Sequence, residues 1–73
     1  MKPLVYWCRW HGATLRLRGR EPQAIWGELV YADHTELFRF DLQQASLTRG
    51  EGESAITVLL DEMGVETKPE SPE

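Results

Sequence analysis

The chain has 73 residues, a single cysteine and a net charge of −4. That length allows one small core near the limit of independent stability, and the lone Cys8 excludes a disulfide within the chain. No stretch approaches the roughly 20 apolar residues that cross a bilayer. A five-residue apolar run, Leu4 to Cys8, is too short for a secretory leader, so a cytoplasmic protein with no membrane partner is expected.

Charge is sorted along the chain, with +5 over residues 1–20, −3 over 21–49 and −6 over 50–73. All seven aromatic residues lie between Tyr6 and Phe40. Such segregation points to charged macromolecular partners rather than to small-molecule chemistry.

Leu4–Trp10 is rich in aromatic residues and ends at the turn signal His11-Gly12, which predicts a first strand. Thr14–Arg18 alternates strictly, with Leu15 and Leu17 on one side and Arg16 and Arg18 on the other. Gly19–Gln23 reads as a loop. Ile25–Tyr31 predicts a third strand, in which Gly27 signals a bulge or a close approach by another group. Thr35–Leu42 is the cleanest strand, with Phe38, Phe40 and Leu42 on one side. A short extra strand around Ala45-Ser46-Leu47 would extend the sheet.

Residues 54–63 fit two patterns. Ile56, Leu59, Leu60 and Met63 have helical spacing, with Ser54 and Gly64 placed as caps. Ile56, Val58 and Leu60 also alternate, and Ile56-Thr57-Val58 has strand propensity. The two caps favour a helix. The expected fold is therefore α+β: a small antiparallel four-stranded meander with one short C-terminal helix. Residues 1–66 would form one domain, and 67–73, polar and proline-bearing, a disordered acidic tail.

Arg16, Arg18 and Arg20 would form a guanidinium stripe at period two, with Arg9 and Trp7 or Trp10 nearby. Guanidinium forks grip phosphate and aromatic rings stack on bases, which is the composition of a single-strand nucleic-acid platform. The plainer reading is a solvated strand face paired with Glu28, Glu36 or Asp41. The acidic C-terminal third, including Glu51 and Glu53, would contact a basic partner, solubilise the domain, or mask the arginines. Cys8-x-x-His11 supplies half a zinc site but lacks a second close pair, even with Asp33 or His34 added. A strand cysteine flanked by Trp7 and Trp10 reads as core rather than as a nucleophile. No catalytic residue, metal or cofactor is expected. At least one tryptophan should stay partly exposed, and tryptophan with arginine is the pairing enriched at protein-binding hot spots.

In size, segregated charge and compact β-rich design, the whole chain resembles small bacteriophage-encoded proteins that bind bacterial RNA polymerase and block or redirect transcription. No residue-level motif carries the likeness. It implies a non-enzymatic regulator, monomeric rather than oligomeric, that occupies a surface on a large protein complex. The candidate contacts are Trp7, Arg9, Trp10, Arg16, Arg18 and Arg20, with Glu51 and Glu53 on the acidic side. A nucleic-acid-binding β domain and a structural subunit or homo-oligomer are the alternatives.

Overall fold

In the computed structural model, which describes residues 2–67, the first segment is a helix. Lys2–His11 forms α1, where aromatic content predicts a strand. Three local features explain the difference. Pro3 sits in the first turn, where its missing N–H costs nothing. Leu4, Trp7 and Cys8 recur at helical spacing and are the buried residues of α1. The C-terminus closes in a Schellman turn: Gly12 takes φ +67 and the Ala13 N–H donates to the Cys8 carbonyl at 2.9 Å. Arg9 and His11 occupy the last turn, where the helix dipole favours cations.

Six strands follow in one antiparallel sheet whose spatial order matches the chain order: β1 (Thr14–Arg20), β2 (Ala24–Val30), β3 (Thr35–Asp41), β4 (Ser46–Arg49), β5 (Ile56–Leu60) and β6 (Glu66–Thr67). The α+β class and the meander stand, with six strands in place of four. The helix expected over 54–63 is a strand. Ile56, Thr57 and Val58 are β-branched and fit a pleated surface better than a helix turn. Pairing with β4 sets Val58 beside Leu47 and Ile56 beside Arg49. The residues that resemble caps serve turns instead. Ser54 ends a short 3-10 turn, its hydroxyl donating to the Glu51 carbonyl at 3.1 Å. Gly64, at φ +78, lies in the β5–β6 hairpin, where the Asp61 carboxylate accepts from the Met63 and Val65 N–H groups at 2.8 and 2.9 Å. Thr67, placed in the tail by its sequence, pairs with Leu59. The remainder of the expected tail lies outside the described residues.

The core lies between α1 and one face of the sheet. Leu4, Trp7 and Cys8 pack with Ile25, Leu29, Phe38, Phe40, Leu47 and Leu60. Removing side chains of this size from water is the main stabilising term for so short a chain, at about 1.5–3 kcal/mol each. Among the described residues no element packs on the opposite sheet face, where Arg16, Trp26, Glu28, Leu37, Arg39 and Thr48 lie by register.

Candidate functional site

The register of β1 decides the fate of the arginine stripe. Arg16 pairs with Glu28 and Leu17 with Gly27, but the next paired residue is Gly19, opposite Trp26. Arg18 is the extra residue of a bulge, which shifts everything after it to the other face. Arg20 therefore pairs with Ile25 on the helix side and lines a depression with Leu17, Pro22 and Leu42. Period two predicts three aligned arginines, and the bulge leaves only Arg16 and Arg18 together. Gly27 makes the bulge feasible, because a Cβ there would run into the Arg16 carbonyl oxygen.

Arg16 and Arg18 both reach Glu28, at 3.5 and 3.7 Å. One carboxylate shared by two guanidiniums leaves one positive charge uncompensated. These exposed pairs contribute about 0–1 kcal/mol each. The aromatic neighbour on this face is Trp26 rather than Trp7 or Trp10. Its indole lies against Gly19, with the Arg39 guanidinium 5.5 Å from the ring centre, and Arg39 pairs with Glu21 at 3.6 Å. An Arg/Trp platform built from Arg16, Arg18, Arg20, Trp7 and Trp10 is thus not assembled. The sheet separates Arg16 and Arg18 from α1.

Trp7 is also not a surface residue. It is fully buried and its Nε1–H donates to Glu66 Oε2 at 2.9 Å. His11 stacks on its ring with centroids 4.0 Å apart, and the Arg49 guanidinium lies 5.3 Å from the ring centre. Arg49 in turn approaches Glu36 at 3.6 Å, and Glu36 accepts a 2.6 Å hydrogen bond from the Tyr31 hydroxyl. Burial, reinforced by Glu36, pushes the Tyr31 phenol up to about 12. This chain of contacts ties β3, β4, β6 and the β2–β3 turn to the helix.

Trp10 is the exposed tryptophan, at 67%. Its Nε1–H donates to the Met63 carbonyl at 3.1 Å, which fixes the ring beside the β5–β6 hairpin. Trp10, His11, Gly64 and Val65 line one open depression. Lys2, Pro3, Tyr6 and Met63 line a second, and Lys2, Val5, Tyr6 and Arg9 a third. The second and third share Lys2 and Tyr6, and the Trp10–Met63 hydrogen bond sets the first beside the second, so the depressions adjoin along one surface of α1 and the hairpin. Val5, Trp10, Met63 and Val65 are all exposed large apolar side chains on it. Sequence reasoning found Arg9 and Trp10 here but missed Tyr6, Met63 and Val65. The signal was present: Val5 and Arg9, like Tyr6 and Trp10, are four apart and share a helix side.

Glu51 and Glu53 are exposed in the β4–β5 connection, with β2 and β3 between it and β1 in the sheet order. They make no pair with the β1 arginines among the described residues. Asp33 receives a 2.7 Å hydrogen bond from His34, which holds its carboxyl below the usual range. Cys8 faces the core while His11 faces Glu66 at 4.0 Å. Among the described residues, no three His, Cys, Asp or Glu side chains are gathered as a metal would require, and no helix is long and apolar enough to cross a membrane.

Burial pushes the Cys8 thiol from 9.0 up to about 11. Cys8 and Tyr31 thus hold their protons in the folded state beyond the pH at which the unfolded chain releases them. Their contribution is complete below pH 9.0 and 10.0 respectively, and is lost as pH climbs towards about 11 and about 12. Urea midpoints should fall across this alkaline window. Cys8→Ala should flatten the lower part of the fall, and an identical fall in that variant would remove Cys8 as its cause.

No protein-family model, curated protein or solved structure matches the chain. Fold and surface define the class: a single helix packed on one face of an antiparallel meander, with an aromatic patch over the helix and its neighbouring hairpin.

Proposed function

We propose that the chain is a non-enzymatic regulator that docks on a larger protein assembly through the surface of α1 and the β5–β6 hairpin. The exposed but immobilised Trp10 carries this reading. A large ring held by its own N–H loses little freedom on binding, which raises affinity without new contacts. Beside it stand Met63 and Val65, with Val5 further along α1 and Lys2, Arg9, Glu62 and Glu66 at the rim, an apolar centre in a charged border of the kind found at hot spots. The thiol of Cys8, buried and raised to about 11, is poorly suited to nucleophilic work.

Bacterial RNA polymerase is the first partner to test, on the strength of the chain's likeness in size and charge to phage-encoded inhibitors. Inhibition would follow from occupying a polymerase surface or displacing a factor from it. Nucleic acid is the weaker reading, because the bulge turns Arg20 to the other face and the sheet separates Arg16 and Arg18 from the exposed Trp10, so no arginine stripe with stacking rings is assembled.

The experiment is capture of purified bacterial polymerase by immobilised chain, with run-off transcription in parallel. Stoichiometric capture and reduced transcript, both lost in Trp10→Ala, are expected. A chain that ignores polymerase and self-associates through the Trp10 surface would be the homo-oligomer instead.

A further inference from the structure

We infer that the free edge of β1 accepts an extended acidic segment of a partner protein as a seventh strand. This rests on β1 alone and holds whether or not the Trp10 surface binds polymerase.

The sheet begins at β1, which is bonded to β2 on one side only. The backbone N–H and C=O groups that alternate towards the other side have no strand beside them among the described residues. β1 is seven residues long, whereas at the opposite end of the sheet β6 has two residues among those described. Among the described residues β1 offers the longest edge template for strand addition.

Its side chains specify what the added strand must carry. On the outer face stand Arg16 and Arg18, which share the single carboxylate of Glu28. Arg20, past the bulge, has no acid within ion-pair distance among the described residues. Between the arginines, on the helix side, Leu17 is 45% exposed at the rim of the depression that includes Pro22, Ile25 and Leu42. A complementary strand therefore alternates: acids towards Arg16 and Arg18, and an aliphatic side chain between them covering Leu17.

The same features disfavour a second copy in the registers that bring the two arginine segments together. An antiparallel pair of β1 strands centred on Leu17 sets Arg16 of one copy against Arg18 of the other, and centring on Arg16 or Arg18 sets like against like. Like charges directly opposite are destabilising. Arginines and a bulge are a known guard against self-pairing, and here they leave the edge open to strands of opposite charge. A phosphate backbone satisfies the arginines equally well, but it supplies neither ladder hydrogen bonds nor a cover for Leu17.

The test uses the full chain and fluorescently labelled short peptides that alternate glutamate with valine, read by anisotropy. Binding of the Glu/Val peptide is expected, with affinity falling at least about ten-fold in the Arg16→Ala/Arg18→Ala chain. A Lys/Val peptide should not bind. A Glu/Val peptide with a central proline should bind markedly less, because proline removes a ladder donor, and this arm needs no altered protein. Isotope-labelled chain should show slowed amide exchange in Thr14–Arg20 when the peptide is present. Three outcomes overturn the inference: no binding of the Glu/Val peptide, equal binding of the proline peptide, or tighter binding of a single-stranded oligonucleotide than of the Glu/Val peptide.

Discussion

Trp7→Ala is expected to cost about 3–5 kcal/mol. The side chain is fully buried, so its loss opens a cavity beneath α1. It also removes the 2.9 Å donor to Glu66 and the ring that His11 stacks on and Arg49 approaches. Domains of this size unfold at temperatures that shift by about 4–8 °C per kcal/mol. Thermal unfolding of Trp7→Ala should therefore move down by tens of degrees, or show no folded baseline at all. Trp7→Phe retains most of the ring and loses the hydrogen bond, so its shift should be clearly smaller. A Trp7→Ala protein that melts within a few degrees of the parent would contradict the helix-on-sheet core.

The second large effect is at Gly64. Its φ of +78 lies in the left-handed region. A Cβ there would sit 2.5 Å from the Trp7 nitrogen, 2.6 Å from the Pro3 carbonyl oxygen and 2.7 Å from the Tyr6 Cβ. Two of these are backbone atoms of α1, and the third is fixed directly to that backbone. The helix must move off the hairpin. Backbone strain and overpacking together should cost about 3 kcal/mol. Gly52→Ala is the matched control: its φ is +66, but no atom lies within 4 Å of the added carbon. There the backbone cost alone applies, about 1 kcal/mol. Equal urea midpoints for the two variants would mean that the hairpin does not grip α1 as described.

The central strands were legible because their side chains obey one period and no other. Phe38 and Phe40 alternate with Leu37, Arg39 and Asp41, and the structure pairs them with Gly27 and Ile25. Gly27, out of place in a strand, marked the bulge opposite Leu17–Gly19. The bulge's consequence for Arg20 was not legible, since an extra residue changes the face without changing the pattern.

The ends failed for a different reason. Leu4–Trp10 is apolar at odd and even positions alike, so alternation and helical spacing both fit, and Gly12 ends either element. What decides is Pro3 in the first turn and the need to cover Phe38, Phe40 and Leu47, which is a tertiary demand. At the other end, a left-handed glycine closes hairpins as readily as helices. The Asp61 carboxylate, bonded to two turn N–H groups, selects the hairpin. The helix also separates the two tryptophans that were candidate contacts alike: Trp7 is buried, and Trp10 rests on the hairpin.

The most direct measurement of the proposed docking role compares the parent chain with Trp10→Ala for affinity towards purified bacterial RNA polymerase, with thermal unfolding of each alongside. Trp10 is exposed, so its truncation should leave the melting temperature within about 4–8 °C, the equivalent of about 1 kcal/mol. Binding should weaken at least about 30-fold, the scale of a hot-spot residue. Full affinity in a stably folded Trp10→Ala chain would contradict the assignment of this surface as the docking site.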